Sequence, residues 1–539
     1  MTMTSLTPLQ QGIKLLTEGN LVAAQEVLQD IRSRGEADAA SAARFLAHIE
    51  KSERRYGKAI TTLTAALDDL GPDSATLAQL AELYMAVGKH EDAIAAAEDS
   101  LEKESDNSIT SLNLTIWRSN RSDDPMAIRQ GFEAWTERFL NPAVCETPLQ
   151  SPVASQLTPE RKLRVGYVSG DLGNHPVRYL IEPYFRLHDH SRFDIHAFMC
   201  SDEDEISLLL KDHVPHWHNV KDLNDDALLE RIRALGIDIL VDLSGHTDAS
   251  RMSVFAARAA PVQVTWWGFV HTLGLKEIDY RLTDWRTAPE GADEYYTEAL
   301  CRLHCHTAYL PPVNTEKQYP PPWRKNGYVT MISLNHSRKI SDAALDTWCA
   351  ILRANPESGL MIVTTETSDV GIEEHFLPRL REKGFPMDRV AAVPRLTMLE
   401  YMNVAAVADF ALDSFPVSGG VTTLHALWMG LPVLALRPPS PITMQTYSGN
   451  TLATVGLDEC VTSALDELIE RASEWIQNPS RIDTLRAKTR RQLTLSPFMD
   501  HAGRVAELEN CFEAMWQRVV RGEPATSLNS QMVANVESR

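Results

Sequence analysis

The stretch DSFPVSGGVTTLHALWMGLP, residues 413–432, has the residue types that hold an anion. Ser418, Gly419, Gly420, Thr422 and Thr423 stand between a strand-like run, DFALDS, and an apolar run with helical spacing. The first N–H groups of a helix have no partner inside it and carry a partial positive charge. Glycine lets a ligand approach that backbone, and threonine adds hydroxyl donors. Such a turn cradles a phosphate; the same composition also makes an ordinary helix cap. His425 stands one turn into the helix. A second strand-like run leads into LNHSRK (334–339), where Lys339 precedes the helical stretch SDAALDTWCAIL. A lysine there puts a point charge on a leaving phosphate, or simply faces solvent. SGDLGNHP (169–176) and LSGHTDAS (243–250) each place one histidine after a strand. His175 and His246 are candidates for a general base or for a hydrogen bond to an anionic donor. The plain alternative is a satisfied loop histidine.

Other histidines are dense without forming a pattern. His213, His216 and His218 in DHVPHWHN, and His304 and His306 in LHCHTAY, lack the spacing that builds a full ligand set with cysteines or carboxylates. No metal site is expected. GxSxG, HExxH and a GxGxxG following a strand do not occur.

The elements that must position these residues alternate along the chain. Candidate strands are 163–170, 193–200, 237–245, 262–268 and 278–284; after a Pro-rich break at 309–326 come 328–335, 359–365, 389–394, 409–414 and 431–437. Strands alternating with helical stretches imply parallel sheets, and two such series imply two doubly wound domains. Ligands of open α/β sheets bind beyond the carboxyl ends of the strands, which is where all five polar turns fall, WWGFVHTLG (266–274) among them.

Upstream, EGNLVAAQEVL (18–28), RRYGKAITTLT (54–64) and GKHEDAIAAAE (88–98) align, with Ala24, Ala59 and Ala93 in one slot at spacings of 35 and 34 residues. Two helices per ~34 residues is the tetratricopeptide period, although an unrelated helical bundle would share some of it. The expected organisation is repeats over 1–140, a Pro/Ser/Thr-rich linker over 141–161, an acceptor-side domain over 162–320, a donor-side domain with C-terminal helices over 321–522, and a flexible tail over 523–539. A net charge of −21 argues against general binding to nucleic acid or to an anionic membrane surface. The scattered, odd number of cysteines and an N-terminus without signal-peptide character lead to the expectation of a cytoplasmic protein with no membrane span.

RVGYVSGDLGNHPVRYLIEP, VDLSGHTDASR, ARAAPVQVTWWGF, IDYRLTD, SLNHSRKIS and ALDSFPVSGGVTTLHALWMGLPVLAL, in that order, resemble the catalytic region of the O-GlcNAc transferase and SPINDLY family, over roughly 160–520. The resemblance implies a GT-B glycosyltransferase of two Rossmann-like domains behind tetratricopeptide repeats. It implies inversion at the sugar, no cofactor or metal, UDP-GlcNAc as the nucleotide-sugar donor, and a protein or peptide acceptor recruited by the repeats and modified on Ser or Thr; one branch of the family modifies Asn. By the same resemblance His175, His246 and Lys339 are catalytic. His336, Lys339, Ser418, Gly419, Gly420, Thr422, Thr423 and His425 bind the donor. The sequence departs from the family at His425, where an acidic residue usually meets the ribose, and at Val270, His271 and Leu273, where Pro, Gly and Thr are usual. His336 replaces a Gln of the animal enzyme, and Tyr401 a common His. These departures bear on the nucleotide and on the sugar, GlcNAc or another hexose or deoxyhexose; the alternatives are a scaffold that binds a nucleotide or a protein without transferring anything, and a transferase acting on Asn or on a non-protein acceptor.

Overall fold

The computed structural model describes residues 6–35, 37–149, 161–312, 318–366 and 371–530. Eight helices come first: α1 (Pro8–Thr17), α2 (Leu21–Arg34), α3 (Ala39–Ser52), α4 (Tyr56–Leu70), α5 (Ser74–Ala86), α6 (His90–Lys103), α7 (Ser108–Ser119) and α8 (Pro125–Phe139). Asn20, Asp73, Asn107 and Asp124 cap four of them by accepting from backbone N–H groups of the first turn. Ala24, Ala59 and Ala93 lie fully buried four residues into α2, α4 and α6, where a larger side chain would hold neighbouring helices apart. The three aligned repeats are thus followed by a fourth pair, α7 and α8. The alignment does not reach it because Ile128 occupies the alanine slot of α8, and Ile128 packs into the next domain instead of a following repeat.

Two all-parallel sheets follow. The first has eight strands: β1 (Leu163–Ser169), β2 (Phe193–Met199), β3 (His216–Asn219), β4 (Ile239–Asp242), β5 (Val262–Thr265), β6 (Tyr280–Asp284), β7 (Ala299–Leu303) and, from the far end of the chain, β14 (Leu528–Asn529), in the order β14-β7-β6-β5-β4-β1-β2-β3. The second holds β8 (Thr330–Ser333), β9 (Gly359–Val363), β10 (Val390–Val393), β11 (Phe410–Leu412), β12 (Val433–Leu436) and β13 (Val461–Thr462), in the order β10-β9-β8-β11-β12-β13. The central strands are buried along nearly their whole length, as parallel strands covered by helices on both faces must be. Strand order reverses between β1 and β4 in the first sheet and between β8 and β11 in the second. A crevice opens at each reversal because the flanking crossovers leave on opposite faces.

Two expected boundaries change. The C-terminal helix His501–Val520 does not complete the second domain: Leu508, Phe512, Met515 and Trp516 enter the core of the first, and Glu509 meets the buried His188 at 2.9 Å. Its apolar stripe is legible in sequence, but which sheet it covers is not. The expected tail over 523–539 is partly built into the fold, since β14 pairs with β7 and Ser527 Oγ accepts from Leu300 N–H at 3.3 Å; residues 531–539 lie outside the described residues. Of the expected linker, 150–160 lie outside them too, while Ala143 donates to Ser253 O at 2.9 Å and Arg233 to Thr147 O at 2.9 Å, fastening its first part to the first domain.

Candidate active site

Four of the five loops singled out in the sequence leave β1, β4, β8 and β11, the strands that flank the two reversals; the fifth leaves β5. In the second domain, β11 ends at Leu412 and the helix Val421–Trp428 starts after Gly420. Asp413, fully buried between them, draws the turn closed: Gly419 N–H donates to its two carboxylate oxygens at 2.9 and 3.2 Å, and Asn335 Nδ2 donates at 2.9 Å. Gly419 has no alternative, because a Cβ there would stand 2.5 Å from Thr423 Oγ1 and 2.7 Å from Asp413 Oδ1. Thr422 Oγ1 donates to Asn335 Oδ1 at 3.0 Å, Thr423 Oγ1 meets Ser448 Oγ at 3.0 Å, and Ser418 Oγ donates to Met444 O at 2.9 Å.

Lys339 closes the short turn Ser337–Lys339 after β8, and its Nζ reaches Ser418 O at 2.8 Å. Burial pushes its ammonium down to about 8, against the pull of Asp413, with Arg338 adding to the fall. Lysine and glycine-rich turn, 79 residues apart in sequence, therefore share one spot. His336 caps the same short turn, its Nδ1 accepting from Arg338 N–H at 3.2 Å, and is exposed. Asp413 and Asn335 brace the whole arrangement. Neither was a sequence candidate, since an acid at a strand end and an asparagine in a loop are common.

His425 points the other way. It is buried, its Nδ1 2.7 Å from the Tyr309 hydroxyl, with the rings of Tyr179, Tyr309 and Tyr401 around it. Burial lowers its pKa to about 3, so the ring is neutral.

In the first domain, His175 is exposed in the loop after β1, its Nδ1 3.7 Å from Asp171 and accepting from Val177 N–H at 3.4 Å. Partial burial lowers its pKa, Asp171 opposes this, and Arg338 from across the cleft adds to the fall. Asp204 holds the loop by accepting from Asn174 N–H at 2.7 Å. His246 is buried after β4. Its Nε2–H donates to Leu273 O at 2.8 Å, its ring stacks on Phe132 of α8 at 5.7 Å, and Trp135 of α8 meets it edge-on at 5.2 Å. Burial carries its pKa down to about 4.

The loop after β5 contains the residues that depart from the family. Arg281 donates to Phe269 O at 2.9 Å and to His271 O, and Glu298 accepts from Leu273 N–H at 2.8 Å. The repeats hold its other side: His271 Nε2–H donates to Asn120 Oδ1 at 2.9 Å, and Thr136 Oγ1 to Gly274 O at 2.6 Å. Gly274 has φ +66° and lies against α8, where a Cβ would stand 2.3 Å from the Phe132 carbonyl carbon. Towards the second domain His90 of α6 donates to Arg338 O at 2.7 Å, and Arg379 donates to Val87 O at 2.9 Å and Gly88 O at 3.0 Å in the α5–α6 turn. The repeats thus bridge both sheet domains. Between the three lies a cavity of about 740 Å³, lined by Lys339, Val417 and Met444 on one side, His246 and His271 on the other, and α7 of the repeats.

Two groups among the described residues bring atoms close enough to hold a metal: Asp194, His196 and His216, and Asp284, Cys305 and His306. Strand register and tertiary contacts assemble them, so local spacing gave no sign of either. No helix among the described residues is long and apolar enough to cross a membrane.

Residues 143–312 and 309–508 match the family model described as glycosyl transferase family 41. The chain is similar to a tomato (Solanum lycopersicum) protein named as a probable UDP-N-acetylglucosamine–peptide N-acetylglucosaminyltransferase SPINDLY, 30% identical over 396 residues, covering 72% of this chain and 42% of that one. A Caenorhabditis elegans UDP-N-acetylglucosamine–peptide N-acetylglucosaminyltransferase is 22% identical over 497 residues, covering 70% and 43%. The chain thus spans less than half the length of the curated relatives it matches. Among solved structures, a mutant O-GlcNAc transferase of Thermobaculum terrenum superposes with a TM-score of 0.83 at 29% identity, covering 96% of this chain and 98% of that one. With two Rossmann-like domains in GT-B arrangement behind helical repeats, and a family match over most of its length, the chain belongs to glycosyl transferase family 41.

Proposed function

We propose that the chain moves a sugar from a nucleoside-diphosphate donor to a side-chain hydroxyl of a protein. The observation that carries this reading is the convergence of Lys339 Nζ on the Ser418–Thr423 helix start at the sheet reversal. In this reading Gly419, Gly420, Thr422 and Thr423 receive the donor's diphosphate and Ser418 fixes the turn. The acceptor oxygen attacks the anomeric carbon as the bond from that carbon to the phosphate oxygen breaks. Negative charge grows on the departing diphosphate, where Lys339 and the helix start oppose it. The proton of the acceptor hydroxyl passes to His175, which Asp171 orients and partial burial keeps neutral near pH 7. His246 acts at one remove: its bond to Leu273 O fixes the loop of His271 at the cavity wall. His336, exposed beside the cradle, flanks the donor, whereas His425, buried against the Tyr309 hydroxyl, stands behind the cradle and offers a ribose neither carboxylate nor imidazole.

UDP-N-acetylglucosamine, the donor in the relatives' names, is the first to test. The acceptor peptide would reach the cleft along the repeats, where Ile109, Leu112 and Ile116 of α7 line the cavity. All seven cysteines are unpaired, which suits a reducing compartment such as the cytoplasm.

The test is a panel of nucleotide sugars with purified protein, read as nucleoside-diphosphate release, together with mass spectrometry of co-expressed proteins. Release from one donor and a matching mass addition on Ser or Thr are expected. Tight nucleotide binding without turnover of any donor would instead favour a binding scaffold, the reading to which the altered loop over 266–274 points.

A further inference from the structure

Two of the three histidines of DHVPHWHN, His216 and His218, find partners on a neighbouring strand. β2 and β3 run parallel with His196 opposite His216 and Phe198 opposite His218. Strand alternation puts Asp194 and His196 on one face of β2. There His216 Nε2 lies 2.8 Å from Asp194 Oδ1, and His196 Nε2 lies 3.6 Å from Asp194 Oδ2. The two imidazoles stack with centroids 4.4 Å apart, and one ligand atom from each of the three residues lies within 4.8 Å of the others. A tetrahedral zinc with bonds of about 2.0–2.1 Å holds its ligand atoms about 3.3 Å apart, between the two measured contacts. His196 is 4% exposed, yet its Nε2 makes no hydrogen bond among the described residues. A buried polar atom without a partner, aimed at a carboxylate and a second imidazole, marks a place where a ligand is missing.

We propose that Asp194, His196 and His216 bind one divalent first-row transition ion, such as zinc, with water in the fourth position. Two imidazoles and a carboxylate suit such an ion, whereas calcium and magnesium take oxygen ligands. His216 and Asp194 are partly exposed, at 44% and 31% of their side chains, giving the ion a way in and the water its place. The site sits at the amino end of the sheet: Asp194 is the second residue of β2 and His216 the first of β3. The donor cleft is at the carboxyl ends. The ion's work is therefore mechanical, tying the short edge strand β3 to β2. The other group offers less, because His306 already uses both ring nitrogens, on Asp284 and on the Tyr447 hydroxyl, and the Cys305 thiol donates to Thr307 O.

Around the ion the protons must be arranged. Arg231 donates to His218 Nδ1 at 3.0 Å, so the His218 proton is on Nε2, which meets His196 Nδ1 at 3.1 Å. In that state the His196 proton sits on Nε2, facing Asp194. Metal binding there moves both rings to the other tautomer. His196 Nδ1–H then donates to His218 Nε2, orienting the ligand as second-sphere partners do. The proton given up by His196 Nε2 is balanced by the one gained at His218 Nδ1, and Arg231 is displaced.

The experiment titrates cobalt(II) into the untagged, metal-free full chain and follows its visible absorption, then displaces it with zinc. Wild type should saturate at one equivalent, with zinc raising the thermal midpoint. His216→Ala and Asp194→Asn should lose affinity by about tenfold or more, His213→Ala should bind as wild type does, and Arg231→Gln should bind several-fold more tightly. Circular dichroism checks that the variants fold. No cobalt signal in wild type, or the same signal in His216→Ala, would overturn the site; unchanged affinity in Arg231→Gln would overturn the tautomer relay.

Discussion

Lys339 is half-buried beside a buried carboxylate, and in the proposed reading this sets how the donor site should respond to pH. Its ammonium is charged below about pH 8 and neutral above. In the proposed mechanism donor capture needs the charged form, so kcat/KM for the donor should stay flat towards pH 8 and fall above it. Asp413 raises the pKa of Lys339; Asp413→Asn should therefore move the alkaline limb to lower pH. A pH–rate profile of both proteins checks this, and a limb that stays in place would remove Asp413 from the account. In the proposed mechanism the acid limb belongs to His175, which must be neutral to take a proton, and its lowered pKa puts that limb below 6.5. At this scale the sequence singled out the groups proposed to face a ligand, since glycine, threonine and lysine at strand ends are rare enough to notice. It did not show Asp413, Asn335 or Asp204, which face inward and brace the others. Nor did it show Asp194 beside His216, because only strand register brings them together.

The element that most exceeds its sequence reading is α8. It is the last repeat helix, yet Phe132 packs against His246, Phe269 and the backbone at Gly274. Phe132→Ala should cost about 3–5 kcal/mol, the usual range for emptying a fully buried aromatic site. It should also lower kcat, because the loop carrying His271 loses its support. Chemical denaturation and donor turnover measure the two effects; a stability loss with full activity would make α8 a scaffold only. The repeats were legible in the alanine period, and the central strands in their apolar runs. The strands that escaped notice, β3, β7, β13 and β14, lie at or near sheet edges, are short, and in β3 carry two histidines and an asparagine. A short polar strand is set by the neighbour it pairs with more than by its own propensity.

At the scale of the whole molecule, the chain closes on itself twice. The repeats grip both Rossmann-like domains through Asn120, His90 and the α5–α6 turn, and the helix His501–Val520 returns to the first domain. Removing residues 501–539 would uncover the seats of Leu508, Phe512, Met515 and Trp516, each worth about 1.5–3 kcal/mol of burial, against a total stability of about 5–15 kcal/mol. The truncated chain should be insoluble or molten, and a cooperative thermal transition near that of wild type would contradict the packing. Two doubly wound domains were readable from alternation alone; the crossing helix was not, because an amphipathic stripe does not name the sheet it will cover. What the molecule does rests on the cradle between the domains. The direct measurement is donor turnover by purified wild type and Lys339→Ala, with nucleotide affinity read alongside. The account predicts a folded variant whose kcat falls by about 10²–10³ and whose affinity for the diphosphate weakens. Near-normal turnover in that variant would contradict it.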